Sequence, residues 1–560
     1  MLNHNNVFCN FSIFRWSSII FLIKNIENKR LNHYFCKQNV FPKTIVIKQK
    51  MKILSSVQLR QWDKYTIEHE PISSIDLMER ASMAFCSAFM KRWQTDTPVM
   101  VFAGFGNNGG DALAISRILA QHEYQVETYL FNTGSKGLSN DCEMNRRKLM
   151  EQGIVKFVEV TAQFFPPKIS DQTVVIDGLF GTGISRPLSG PFAAVVKYVN
   201  AAAKQIVSID VPSGLMTENN DGNIKENIIR ATHTFTFQCQ KIAFLFPENQ
   251  QFVGNVEVLD IGLLDTDQLF INSPYSILEK NEVVGLLKTR PRFAHKGTCG
   301  HALLVAGKKN MAGCAILSAK ACMRTGVGKL TIHTQEANRT ILQLAVPEAI
   351  LDVEPETRDK RTAITKSLSY VNSFSAVGIG PGIGTDESAF DILSHLFNES
   401  EVPLVLDADA LNIIAAHPGL KSLIPPGSIL TPHKGELARL LNSTDNSFEQ
   451  LQLAMQFAQQ QGIYIIAKDA YTAIITPEGI VHFNIIGNAG MATAGCGDVL
   501  TGIILSLLAQ GYTSADASIL GVYLHALSGD IAAEQLCEES LIASDIIDTL
   551  PQAFRKLRIT

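Results

Sequence analysis

The 560-residue chain has no Cys-x-x-Cys pair, no cluster of cysteine and histidine at zinc spacing, and no HExxH tract among its thirteen histidines. Its ten cysteines stand singly, which excludes a disulfide framework and a structural zinc site and points to a reducing, cytoplasmic setting. Long hydrophobic runs are also lacking near the start, where Ile19-Ile20-Phe21-Leu22-Ile23 falls far short of the roughly 18–20 residues a membrane span needs. Net charge is only −4, and beyond the first fifty residues 41 basic side chains face 52 acidic ones. That balance leaves no electrostatic footprint for nucleic acid, and no membrane partner is expected.

What is present suits a globular protein: 46% hydrophobic and 18% charged residues. The length exceeds one core and, at roughly 150 residues per domain, predicts two to four. Residues 1–50 differ from the rest, being rich in Asn, Phe, Ile and Lys, with no small-residue cleavage site close behind the apolar run. Met51 reads as the working start, and 1–50 as a dispensable or non-native extension. Two α/β domains are expected beyond it, at 51–270 and 275–560, joined near Asn272-Ser273-Pro274.

The densest chemical signal lies at Thr493-Ala494-Gly495-Cys496-Gly497-Asp498-Val499-Leu500-Thr501-Gly502, which runs into apolar helical sequence. Glycines let a backbone approach a ligand closely, and the first amides of a helix favour an anion, so a phosphate is expected there. A carboxylate in that position, Asp498, suits acid-base work on an alcohol beside a transferring phosphoryl group. A loop that merely caps a core helix accounts for this stretch equally well when it is taken alone.

In the first domain the pattern from Ser55 to Trp93 is helical, with Leu77, Met78, Ala81, Ala84, Phe85 and Ala88 on one face. The apolar run Pro98 to Ala103 then ends in Gly104-Phe105-Gly106-Asn107-Asn108-Gly109-Gly110-Asp111 and a helical segment. Strand, glycine turn and helix together place backbone amides at the carboxyl edge of a parallel sheet. Asparagine carbonyls add ligands that suit a hard cation. Further strands are predicted at Val126–Phe131, Thr173–Asp177, Gln205–Asp210 and Thr232–Phe237. Two of them end in Asp177-Gly178-Leu179-Phe180-Gly181-Thr182-Gly183 and Asp210-Val211-Pro212-Ser213-Gly214. Either aspartate alone reads as a helix cap; both at strand ends point to one crevice.

These three motifs, in this order, resemble the NAD(P)H-hydrate epimerase family over nearly all of the first domain. The resemblance implies a Rossmann-like domain, a potassium ion held by Asn108, Asp177 and Ser213, and a hydrate-binding surface. That surface would comprise Asn107, Asn108, Gly109, Gly110 and Asp111, then Gly181, Thr182, Gly183, Ile184, Ser185, Arg186 and Pro187, and Asp210. Asp210 is the expected acid/base group. Ala112 stands where many members carry glycine, and Gly178 where alanine is common; both exchanges are small for small.

In the second domain a strand at His301–Ala306 leads through Gly307 to a helix over Ala312–Thr325 rich in small residues. Four later stations lie at predicted strand ends: Gly378-Ile379-Gly380-Pro381-Gly382-Ile383-Gly384, Leu406-Asp407-Ala408-Asp409-Ala410-Leu411-Asn412, Thr431-Pro432-His433-Lys434-Gly435-Glu436, and Lys468-Asp469-Ala470-Tyr471-Thr472. Each alone is ordinary surface chemistry; their shared location makes a site. With His295-Lys296-Gly297 and the 493–502 stretch, the set resembles the ADP- or ATP-dependent NAD(P)H-hydrate dehydratase family, a ribokinase-like branch, over essentially 280–555. The resemblance implies hydrate contacts from Ala315, Gly382, His433 and Asp498, and nucleotide contacts from Lys468, Asp469, Ala470, Tyr471, Thr472 and Gly497. Cys496 replaces the usual Ser or Thr and is expected to remove a hydroxyl near the phosphates.

The expected fold is therefore α/β in two domains, a Rossmann-like three-layer sandwich followed by a ribokinase-like unit. The expected activity is nicotinamide cofactor repair, on hydrated NADH and NADPH with ADP as co-substrate and Mg2+ beside it, in a homo-oligomer. Two other readings stay open: a small-alcohol kinase of the hydroxymethylpyrimidine or thiazole type, and a first domain that is a non-catalytic scaffold.

Overall fold

The computed structural model describes residues 52–133, 137–264, 273–354, 368 and 370–559. The expectations for residues 1–50, for Met51 as a start and for Asn272 as a linker lie outside them. Chain contacts gather Lys50–Thr560 into one compact unit.

The helical stretch expected from Ser55 to Trp93 is two helices, α1 (Ser56–His69) and α2 (Ser74–Met90). Pro71 explains the break, since it has no N–H to continue the ladder, and Ser73 restarts it by accepting from the Asp76 amide. Strands β1 (Val99–Ala103), β2 (Val126–Phe131), β3 (Lys156–Val160), β4 (Val174–Gly178), β5 (Gln205–Ile209), β6 (His233–Phe237) and β7 (Asn255–Leu259) form a parallel sheet ordered β3-β2-β1-β4-β5-β6-β7. The sheet is covered on both faces, which is why β1 reads as an unbroken apolar run. Val99, Val101 and Ala103 enter one core with Phe85 and Leu113, while Met100 and Phe102 enter the other with Val196 and Val199. Strand order reverses between β1 and β4, so the loops after these two strands open the crevice in which such sheets bind ligands.

The second sheet is built from β8 (Tyr275–Ile277), β9 (His301–Val305), β10 (Lys329–Gln335), β11 (Ile350–Glu354), β12 (Ala376–Ile379), β13 (Leu404–Leu406), β14 (Ile429–Leu430), β15 (Tyr464–Ala467), β16 (Thr472–Ile475) and β17 (Val481–Asn484). Their order is β11-β10-β9-β12-β13-β14-β15-β16-β17-β8, parallel as far as β15 and then antiparallel through β16 and β17. Its switch point lies between β9 and β12. Leu303 and Val305 face one core, Ala302 and Leu304 the other. Helix α3 (Asn107–Gln121) belongs to the first sheet; α4 (Ala312–Thr325), α5 (Lys434–Leu441), α6 (Ser447–Gln461), α7 (Cys496–Ala509), α8 (Ser514–Gln535) and α9 (Ala543–Arg558) belong to the second.

The two halves are stitched together. Lys52 bridges to Ser276, the Ile53 amide donates to the Tyr275 carbonyl at 3.1 Å, and Ile53, Ile242, Leu245 and Phe246 pack in the core of the second sheet. Ser273 and Pro274 are held rather than free: the Ser273 hydroxyl donates to the Ile53 carbonyl, and the Pro274 carbonyl accepts from the Val481 amide. The Glu248 carboxylate accepts from the Ser447 amide at 2.9 Å and from its hydroxyl at 2.8 Å, at the first turn of α6.

Candidate active sites

In the second half, Gly495 leaves the loop with φ of +92° and α7 begins at Cys496, so Gly497 and Asp498 occupy its first turn. A Cβ built on Gly497 would lie 3.2 Å from Lys468 Nζ, so the lysine sits directly over this helix turn. Lys468 directly follows β15 and donates to buried Asp407 at 2.9 Å, while Thr501, one turn along α7, donates to the other Asp407 oxygen at 2.8 Å. Asp407 thus aims the lysine at the helix N-terminus, giving a cation and free amides that face one point.

Asp498 stands beside this point. Burial, and then the Asp407 charge, push its carboxyl up to about 6, against a hydrogen bond from the Cys314 thiol and the pull of Lys468. That value lies close to neutrality, where a general base is most useful. Gly382, at φ of +62°, passes so near α4 that a Cβ on it would sit 3.3 Å from Cys314 Sγ. Ala315 follows Cys314 in α4 and is fully buried. His433 is bridged by backbone to Lys468 and caps α5, its Nδ1 accepting from the Gly435 amide at 3.0 Å. Asp469, Ala470 and Tyr471 form the turn between β15 and β16, with Thr472 opening the second strand. Gly382, His433, Lys468, Gly497 and Asp498 therefore share one strand-end crevice, with Ala315 beneath it.

Cys496 is buried against the α7 core, and its thiol is raised by burial and by the Asp498 charge, against the Thr493 backbone amide. Its carbonyl accepts from Nε2 of His525 on α8 at 3.0 Å. Burial lowers His525 to about 4, which keeps the ring neutral. Cys314 and His525 escaped sequence reasoning because neither lies in a glycine-rich motif.

In the first half, Asn107 and Asn108 open α3, and Gly109 is required because a Cβ there would lie 1.8 Å from the Gly104 carbonyl oxygen. Asp210 holds φ of +62°, an unfavourable conformation for aspartate that its surroundings enforce. Its Oδ1 accepts from Lys241 Nζ at 2.7 Å, the Phe237 amide at 3.0 Å and Thr236 at 3.1 Å. Lys241 is 1% exposed. Asp63, from α1, completes the group, raised to about 6 by burial and by the Asp210 charge. Asp111 is driven up by burial first and then by Asp210 and Asp63. The buried Lys241 thus offsets Asp210 and Asp63, while Asp111 feels the charge of both carboxylates. Asp63 and Lys241 carry no local motif, so only the fold brings them in.

Asp177 serves differently. It is buried and accepts from the Ser213 hydroxyl at 2.5 Å, the Ser213 amide at 2.8 Å and Ser208 at 2.8 Å, tying β4 to β5. Asn108 reaches the same turn: a Cβ built on Gly181 would lie 3.1 Å from its Oδ1, and its buried Nδ2 has no partner among the described residues. Thr182, Gly183, Ile184, Ser185, Arg186 and Pro187 continue that loop, with Gly183, Ser185 and Arg186 exposed at its rim. Among the described residues no group of three acidic, histidine or cysteine side chains could hold a metal.

The second crevice, an anion pocket with a lysine and a near-neutral aspartate at the carboxyl edge of a mostly parallel sheet, defines a phosphoryl-transfer enzyme of the ribokinase-like class, fused to a Rossmann-like α/β unit. Residues 302–552 match the NAD(P)H-hydrate dehydratase family and 74–243 match the family described as YjeF-related protein N-terminus. A bifunctional NAD(P)H-hydrate repair enzyme of Moorella thermoacetica is 32% identical over 520 residues, covering 90% of this chain and 97% of the relative. One from Thermofilum pendens is 32% identical, covering 91% and 97%. A solved ADP/ATP-dependent NAD(P)H-hydrate dehydratase from Bacillus subtilis, co-crystallized with ATP/Mg2+, is 28% identical over 50% of this chain and 98% of that one, with a TM-score of 0.42. The chain belongs to the bifunctional NAD(P)H-hydrate repair enzyme family.

Proposed function

We propose that this protein restores hydrated NADH and NADPH, with 51–270 interconverting the R and S hydrates and 275–560 dehydrating the S form at the expense of ADP. The observation that carries the reading is Asp498, raised to about 6 in the first turn of α7 beside Lys468 and Gly497. The terminal phosphoryl group of ADP lies on the α7 amides and Lys468, which stabilise charge as it develops. Asp498 takes the proton from the C6 hydroxyl of the hydrate, and that oxygen attacks the terminal phosphorus as AMP leaves. The C6 phosphate ester then eliminates phosphate and restores the dihydronicotinamide. Gly382 and His433 line the hydrate side, with Ala315 below. The 468–472 turn takes the adenine nucleotide. Magnesium would arrive on the nucleotide phosphates, in keeping with its habit of binding through few protein carboxylates, and would supply charge neutralisation.

In the first half Asp210 is the acid/base group, and the loops 107–111 and 181–187 hold the cofactor. The residues Asn108, Asp177 and Ser213 fit a potassium ion, because their oxygens gather at the 178–181 turn. When bound, the ion would supply positive charge at that turn. The intact Asp210–Lys241 pair favours an active epimerase over a scaffold.

The test is incubation with mixed R and S NADH hydrate plus ADP or ATP, following the return of dihydronicotinamide absorbance. Full recovery is expected. Recovery that stops at the S fraction removes the epimerase assignment, and a stable phosphorylated alcohol without NADH removes the dehydratase one.

A further inference from the structure

A cavity of about 510 Å3 lies outside both crevices. It lies where α4 and α7 end and the chain enters β9, at the opposite edge of the second sheet from Asp498. Helix α7 has 14 residues, so its two ends stand about 20 Å apart. The volume falls within the roughly 300–1,000 Å3 range of small-molecule sites.

Its wall carries Lys288, Arg290, Arg324 and Arg558 and no carboxylate. Two of these cations have local work. Lys288 Nζ donates to the Gly511 carbonyl at 2.6 Å, and Arg290 donates to the Gly326 carbonyl, so both neutralise helix C-terminal ends. Arg324 ends α4 and Arg558 ends α9; among the described residues neither meets a carboxylate in an ion pair. Two guanidinium groups with no carboxylate partner among the described residues therefore line one cavity, and guanidinium groups bind phosphate through paired N–H donors. Phe554 lies in the wall and Phe293 stands at the mouth, 90% exposed. An exposed aromatic beside guanidinium groups suits stacking of a flat base.

We propose that this cavity is a second ligand site, for a phosphate-bearing aromatic metabolite of the nucleotide class, held through its phosphates by Arg324 and Arg558 with its base against Phe293. It is separate from the ADP that reacts at Asp498 and does not depend on the reading of that site.

The test uses the full chain and ADP as probe. Calorimetric titration should count two ADP sites per chain in the wild type and one in Arg324→Glu/Arg558→Glu, with the unfolding temperature unchanged. Cys299, half-buried in the cavity wall, gives a readout without substitution: ADP should slow its alkylation at least fivefold, resolved by peptide mass spectrometry, while exposed Cys537 reacts unchanged. A double variant that binds as many ADP molecules per chain as the wild type overturns the proposal, whatever that number is. So does sedimentation in which the wild type associates through this face, the variant is monomeric and ADP leaves Cys299 unprotected.

Discussion

A Cβ built on Gly178 would lie 2.5 Å from the Cβ of Ala112, so the end of β4 and the start of α3 share room for one methyl group. The one methyl group this contact admits is carried by Ala112 on the helix, and Gly178 leaves it room beneath the 104–111 loop.

It follows that Gly178→Ala alone should overpack this contact and destabilise the protein by about 1–3 kcal/mol. Ala112→Gly alone should cost about 1 kcal/mol through helix propensity and lost contact. The double variant should be more stable than the sum of the two predicts, because the helix methyl that crowds the new strand methyl is gone. Urea midpoints of the four proteins check this, and strict additivity would show that the two positions do not share the space.

With Asp498 as the proposed base, dehydration should be pH-dependent. A base must be ionised to take the hydroxyl proton, so the rate should fall as pH drops through about 6, and Asp498→Asn should lose at least 100-fold in kcat. Stability runs the other way. The folded pKa lies above the ordinary 3.8, so the fold binds the proton more tightly than the unfolded chain does, and stability is lost as pH rises from 3.8 through 6. Asp498→Asn should therefore raise the unfolding temperature at pH 8 and leave it unchanged at pH 3.5, a pattern that differential scanning calorimetry resolves.

The Cys314 thiol, pushed up to about 12 mainly by burial, is a hydrogen-bond donor to Asp498 and not a nucleophile. Cys314→Ser offers a stronger donor and should move the acid limb of the rate profile to lower pH, while Cys314→Ala should move it higher. Iodoacetamide should reach exposed Cys537 well before Cys314. Identical profiles for all three proteins would remove the thiol from the site.

Much of this was legible in the sequence wherever one local signal sufficed. Apolar runs ending in glycine or aspartate located β1, β4, β5, β9 and β12, and the small-residue helix at Ala312–Thr325 falls where its pattern places it. Period-based reasoning failed where two elements ran together, as at Pro71, and where strands are half polar, as in β3 and β7, whose exposed positions dilute the signal. Side-chain direction was less accessible still. Cys496 lies within the anion motif yet is buried, and Asp63, Lys241, Cys314 and His525 reach their places only through tertiary packing.

Asp63, Asp210 and Lys241 give the sharpest separation of the two activities. Lys241 is the buried cation that compensates Asp210, so Lys241→Met should strand that charge, cost about 3–5 kcal/mol and abolish epimerisation. Asp210→Asn keeps the hydrogen bonds to Thr236 and the lysine region but has no carboxylate to move a proton, so the fold should persist while epimerisation falls at least 100-fold. Asp63, at about 6 because of burial and Asp210, takes up its proton in the range where epimerisation is measured. Asp63→Asn should therefore flatten the pH dependence of epimerisation around pH 6 while lowering its maximum less than Asp210→Asn does. Dehydration of pure S hydrate, which needs only the Asp498 crevice, should stay within twofold of wild type in both asparagine variants. Epimer ratios followed by chromatography, beside NADH formation from S hydrate, measure both; a joint loss of the two activities would show that the centres are not independent.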